Sequence, residues 1–192
     1  MSITLSKGGN VSLSKQVANL SAVAVGLGWQ ARLSSGADFD LDASALMLGA
    51  GGKVLSDRHF VFYNNLTSPD GAVQHTGDDL TGGSGGDDET INVALAAMPD
   101  AVQRIVFAVS IYEADARRQN FGQVRAAYIR VMNQADGIEI ARYDLSEDAS
   151  SETAMLFGEV YRSGAEWKFR AIGQGYASGL RGIALDFGVH VG

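Results

Sequence analysis

Short runs of β-branched, aliphatic and aromatic residues recur along the chain, at residues 23–29, 39–48, 59–63, 91–95, 105–112, 127–131 and 138–143, separated by clusters of Gly, Asn and Asp. Most alternate apolar with small or polar side chains, the period of two that turns one face of a strand to a core and the other away from it. Residues 104–112 differ, because nearly every position is apolar; that pattern predicts a central strand covered on both faces. Glu166, Trp167, Lys168, Phe169, Arg170 and Ala171 alternate strictly, and with residues 153–161 and the turn Arg162-Ser163-Gly164 they predict a hairpin. Helical pattern is confined to one or two turns within residues 96–103, around Pro99, and a short helix within residues 175–186. The whole predicts a mainly β chain, a two-sheet β-sandwich with a few short helices. No linker or Pro-rich boundary interrupts it, so residues 1–192 read as a single domain.

Composition then removes several functions. The chain has no Cys, which excludes a disulfide framework, thiolate metal sites and a cysteine nucleophile. With 22 acidic and 15 basic residues its formal charge is −7, the opposite of the basic surface that follows nucleic-acid phosphates. Residues 1–16 lack the continuous apolar stretch of a secretory signal, and the longest uncharged run, residues 16–31, is too short and too polar to cross a bilayer. The expectation is a cytoplasmic chain with no nucleic-acid partner and no direct membrane insertion.

The acids are concentrated. Asp38, Asp40 and Asp42 occupy alternate positions, and Asp78, Asp79, Asp87, Asp88 and Glu89 fall within twelve residues. On a strand the first three share a face at about 6.6 Å intervals, close enough to repel one another and to share a cation. The second group is set in glycine, Gly82-Gly83-Ser84-Gly85-Gly86 lying between Asp79 and Asp87. Glycine lets a backbone curl until carbonyls and carboxylates converge, and Ca²⁺ takes about six to eight such oxygens. Mg²⁺ keeps its waters and suits an all-protein cage less well, and zinc would find only His59, His75 and His190. Calcium leads on ligand type. The same composition also makes an ordinary solvated loop, and on composition alone the two readings stand level. Residues 38–42 begin like an EF-hand loop but lack its turn glycine and its twelfth-position Glu, and residues 82–87 match a calcium β-roll repeat once only.

Other motifs carry less. Gly82-Gly83-Ser84-Gly85-Gly86, with Asp186 and His190 after it, satisfies a hydrolase nucleophile pattern but lacks the strand before Ser84 and the helix after it. Gly26-Leu27-Gly28 is half a dinucleotide fingerprint, and residues 49–53 lack the Ser or Thr of a phosphate loop. The three His stand singly and read as structural or exposed, and Trp29 and Trp167 read as core.

Longer words carry a resemblance: Ser6-Lys7-Gly8-Gly9-Asn10-Val11-Ser12-Leu13, Val25-Gly26-Leu27-Gly28-Trp29, Phe39-Asp40-Leu41-Asp42-Ala43-Ser44, Gly86-Asp87-Asp88-Glu89, Arg142-Tyr143-Asp144-Leu145 and Glu166-Trp167-Lys168-Phe169-Arg170. Their identity and order resemble the bacterial tellurium-resistance proteins of the TerD family over essentially the whole chain. The resemblance implies a cytoplasmic, calcium-binding stress-response protein of the tellurite, phage and colicin resistance system, with a β-sandwich fold and no enzymatic activity. It implies assembly with other Ter proteins, one of them membrane-embedded, at the inner face of the membrane. It also implies two bound Ca²⁺, which would take the formal charge from −7 to −3. The metal motifs of the family fall here on Asp40 and Asp42, and on Asp78, Asp87, Asp88 and Glu89; Asn64 and Asn65 are added from a matching Phe-Tyr-Asn-Asn stretch. The chain departs from the family in the loop, where Asp79 replaces an Asn and residues 82–86 contain no acid.

Two alternatives have different requirements. A metal-dependent enzyme acting on a phosphorylated or oxyanion substrate would use the cation as Lewis acid and need an open coordination position. A calcium-using carbohydrate-binding sandwich would need aromatic side chains beside the acids, and few stand there.

Overall fold

The structure is a computed structural model that describes residues 2–30, 40–77, 87–145 and 151–190. In chain order the elements are β1 (Ile3–Leu5), β2 (Asn10–Ser12), α1 (Leu13–Gln16), β3 (Val23–Gln30), β4 (Leu41–Leu48), β5 (Phe60–Val61), β6 (Val73–His75), β7 (Glu89–Val93), β8 (Arg104–Ile111), α2 (Ala114–Arg117), β9 (Arg125–Asn133), β10 (Glu139–Asp144), β11 (Ala154–Ser163), β12 (Glu166–Tyr176) and α3 (Gly179–Asp186). They form two six-stranded sheets, one ordered β1-β10-β9-β3-β7-β6 and the other β2-β12-β11-β8-β4-β5. Neighbours run antiparallel except β1, which lies parallel to β10. This is the expected two-sheet sandwich with short helices.

Period-two alternation places the core between the sheets. Val25 and Leu27 of β3, Ile91 and Val93 of β7 and Ile129 and Val131 of β9 meet Ile105, Phe107 and Val109 of β8 and Phe157 and Phe169 from β11 and β12. The other face of the second sheet is covered as well. Leu46, Leu48, Val106, Ala108 and Leu156 point outward, and α3 closes over them with Ile183 and Ala184. That second layer is why residues 104–112 are apolar on both faces, and β8 lies between β11 and β4 in the middle of its sheet.

The expected hairpin is β11 and β12, paired from Ala154↔Tyr176 to Ser163↔Glu166 with a register shift between Leu156 and Gly158. Gly158 is required there, because a Cβ would stand 2.7 Å from the Phe169 ring. Expectation and structure part at short elements. The helical pattern at residues 96–103 yields one 3-10 turn, Leu95–Ala97. The run at 59–63 keeps only two strand residues, since Phe62 and Asn65 exchange backbone hydrogen bonds of 3.1 and 3.0 Å and reverse the chain. Among the described residues no helix is long and apolar enough to cross a membrane.

Candidate functional site

Of the first cluster, Asp42 stands on β4 and Asp40 is the residue before that strand. Leu41, Ala43, Ala45 and Met47 face the inter-sheet core, so Asp42 and Ser44 share the opposite face with Leu46 and Leu48. Across the strand pair Asp42 stands opposite Ser110, and Ser44 opposite Ala108. Asp40 extends this register, its carbonyl accepting the Tyr112 N–H at 2.7 Å. The burial is the unexpected part: Asp40 is 6% and Asp42 5% exposed, values more usual for core aliphatics.

The second cluster sends three consecutive carboxylates to three different strands. Glu89 opens β7 on the same side as Ile91 and Val93, so its side chain enters the space between the sheets and is 2% exposed. It crosses to the other sheet, where its Oε2 accepts the Ala43 N–H at 2.5 Å. The residue bonded is thus the one that follows Asp42, so Glu89 reaches the start of β4 while the Asp42 side chain stands on the other face of that strand. Buried His75 of β6 presents Nε2 to the same oxygen at 3.4 Å. Its Nδ1 accepts the Gly77 N–H at 3.0 Å, which leaves the imidazole proton on Nε2, facing the carboxylate. Asp88 accepts the Trp29 N–H of β3 at 2.9 Å, while its own N–H donates to the Leu27 carbonyl at 2.8 Å.

Asp87 turns the other way, onto the outer face of the first sheet. Arg130 of β9 grips it through Nε and Nη2, each at 2.8 Å, and the Tyr128 hydroxyl donates to Oδ1 at 2.8 Å. Partial burial and that hydrogen bond raise the Tyr128 hydroxyl above the ordinary tyrosine value, and the carboxylate raises Arg130. The seat exists because β3 carries glycine there: a Cβ at Gly26 would overlap the Asp87 carboxylate, and one at Gly28 would stand 2.5 Å from the Tyr128 ring. Arg142 of β10 lies 4.0 Å over that ring, and Glu139 lies 3.6 Å from Arg130.

The remaining candidates stand apart. Asn65 spends its side-chain N–H groups on the carbonyls of Arg58 and Phe60, at 3.0 and 2.8 Å, and so fastens the turn after β5; Asn64 is exposed at the same turn. Asp38, Asp78, Asp79 and Ser84 lie outside the described residues. Among the described residues no three His, Asp or Glu side chains form a group able to hold a metal ion. By type these side chains are oxygen donors of the kind a hard cation takes, carboxylates from Asp40, Asp42, Asp88 and Glu89 and hydroxyls from Ser44 and Ser110, but they are spread over the outer face of the second sheet (Asp42, Ser44), the space between the sheets (Glu89) and β3 (Asp88).

Sequence reasoning missed Arg130, Tyr128 and His75. The signal for the first two was the alternation of glycines in Val25-Gly26-Leu27-Gly28-Trp29, which strips one face of a strand so that something else can pack on it. For His75 it was Val73-Gln74-His75, an alternation that turns the imidazole inward with Val73.

Residues 1–187 match the TerD domain family. The chain is 58% identical over 190 residues to the tellurium resistance protein TerD of Serratia marcescens, covering 99% of each. It is 50% identical over 193 residues to general stress protein 16U of Bacillus subtilis (strain 168), covering both completely. Among solved structures it resembles a homologue of the telluride resistance protein TerD from Streptomyces coelicolor A3(2), with a TM-score of 0.69 and 22% identity over 86% of this chain and 96% of that one.

Proposed function

The chain belongs to the TerD family of tellurium-resistance and general stress proteins, and from that premise we propose that it acts as a calcium-ordered interaction module of the stress response and not as an enzyme. The observation that carries the reading is the burial of Asp40, Asp42 and Glu89 to 6%, 5% and 2% exposure around one strand start. Taking a carboxylate out of water costs several kcal/mol unless positive charge compensates. A hard divalent cation brings two charges and prefers the oxygens that these side chains offer.

In this reading the acids of the two motifs, Asp40, Asp42, Asp78, Asp87, Asp88 and Glu89, make up the ligand set, with two Ca²⁺ per chain. The cation supplies charge compensation that draws two acidic segments together. The protein supplies the frame: β4 holds Asp42, and β7 carries Glu89 to Ala43. Ordering this end of the sandwich makes a surface for partners, other proteins of the resistance system, including a membrane-embedded one at the inner face of the membrane, in the cytoplasm.

Backbone amide resonances followed during a Ca²⁺ titration of chelator-treated protein test the reading. Signals of residues 40–43 and 87–89 are expected to move together and saturate, because one event fixes both segments. Unchanged positions in both segments would overturn the proposal.

A further inference from the structure

We infer that Asp87, although it stands in the acidic motif, is not a cation ligand but the positioning residue of the site, locked to Arg130 and Tyr128 so that Asp88 and Glu89 diverge toward β3 and β4. The inference rests on the calcium reading above and divides its ligand set.

Both oxygens of Asp87 are already committed. Oδ1 accepts from the Tyr128 hydroxyl and Arg130 Nε, and Oδ2 accepts from Arg130 Nη2, all at 2.8 Å. A bidentate guanidinium on a carboxylate is among the strongest charge-assisted arrangements a protein makes. The Asp87 side chain is 9% exposed and the Arg130 side chain 29%, so water screens the pair little. A cation that took Asp87 would have to displace that guanidinium and then sit beside it, two like charges at close range. The pocket is also shaped for the clamp, since glycine at 26 and 28 leaves room for the carboxylate and the phenol ring.

The clamp has a consequence for the neighbours. Residues 87, 88 and 89 reach β9, β3 and β4 respectively, although a regular strand would turn residues 87 and 89 to the same face. Fixing Asp87 on the outer face sets the backbone turn from which Asp88 meets Trp29 and Glu89 enters the space between the sheets. A residue of this kind acts on metal affinity without touching the metal.

A double-mutant cycle on the full chain separates positioning from ligation. Wild type, Asp87→Asn, Arg130→Met and the double variant are stripped with chelator, titrated with Ca²⁺ by calorimetry and melted in chelator. Asp87→Asn and Arg130→Met are each expected to weaken Ca²⁺ by about tenfold, to leave the number of bound ions unchanged, and to weaken it no further in combination. Tyr128→Phe, which removes one hydrogen bond and no charge, is expected to act in the same direction and by less. Were Asp87 a ligand, Asp87→Asn would remove one bound ion, and Arg130→Met would tighten Ca²⁺ by removing a competing charge. Either result, or effects that multiply in the double variant, overturns the inference. If wild type binds no Ca²⁺, the calcium reading falls and the positioning role with it. Coupling in the chelator melts would then mark a clamp that serves the fold alone.

Discussion

Glu89→Ala is expected to lower the unfolding free energy by about 3 kcal/mol in a denaturant titration, because it removes a buried acceptor and leaves its donors behind. The carboxylate is fully enclosed, accepts the Ala43 N–H across the gap between sheets, and faces the Nε2 of a buried His75 at 3.4 Å. Alanine would strand the Ala43 N–H and the imidazole N–H in apolar surroundings and open a void between β7 and β4. Glu89→Gln separates that structural work from the ionic role. Its carbonyl can still accept from Ala43, so stability in chelator is expected to stay within about 1 kcal/mol of wild type, while Ca²⁺ affinity falls at least about tenfold for want of the charge. Equal stability of Glu89→Ala and wild type would show that the link between the sheets is not made there.

Phe157→Ala is expected to cost about 4 kcal/mol, the usual loss for truncating an enclosed phenylalanine, and to lower the melting temperature by roughly 12 °C in a chain of this size. Phe157 is 1% exposed and packs edge-on against Tyr143, with ring centroids 5.8 Å apart and planes at 87°. It lines the same enclosed crevice as Leu27, Ala43 and Glu89. The void left by truncation therefore borders the buried carboxylate, and water admitted there would solvate Glu89 and loosen its hold on Ala43. The variant is expected to weaken Ca²⁺ as well as the fold. A loss below about 1 kcal/mol would mean that the sheets do not meet at this ring.

The fold was legible because β strands long enough to show a period of two make up most of both sheets. β8 is the clearest instance: apolar residues at nearly every position anticipated a strand covered on both faces, and the opposite sheet and α3 provide that cover. β1, β2 and β6 were not legible. Each has three residues, too few to establish a period, and is held by the partner it pairs with. The acid density around residues 38–42 and 78–89 marked the region of the candidate site. Its sign was readable, but its burial was not: alternation placed Asp40 and Asp42 on the strand face away from the inter-sheet core, and nothing local announced that they would be buried there as well. Asp87 shows the same limit. Its partner Arg130 stands 43 residues on in the chain and becomes a neighbour only through the β9–β3–β7 order of the sheet. The candidate status of Asn65 came from the matching Phe-Tyr-Asn-Asn stretch; what no local pattern showed is that its side-chain N–H groups fasten a turn.

Calorimetric titration of chelator-stripped protein with Ca²⁺ and, separately, Mg²⁺, with a melting curve for each form, tests the central claim most directly. About two Ca²⁺ per chain are expected to bind at micromolar or tighter affinity, with Mg²⁺ much weaker. At a hundredfold excess over its dissociation constant, each independent Ca²⁺ site adds about 2.7 kcal/mol, and the melting temperature rises accordingly. No heat of binding and an unchanged melting temperature in Ca²⁺ would contradict that claim, and would leave the buried acids of β4 and β7 as features of the fold alone.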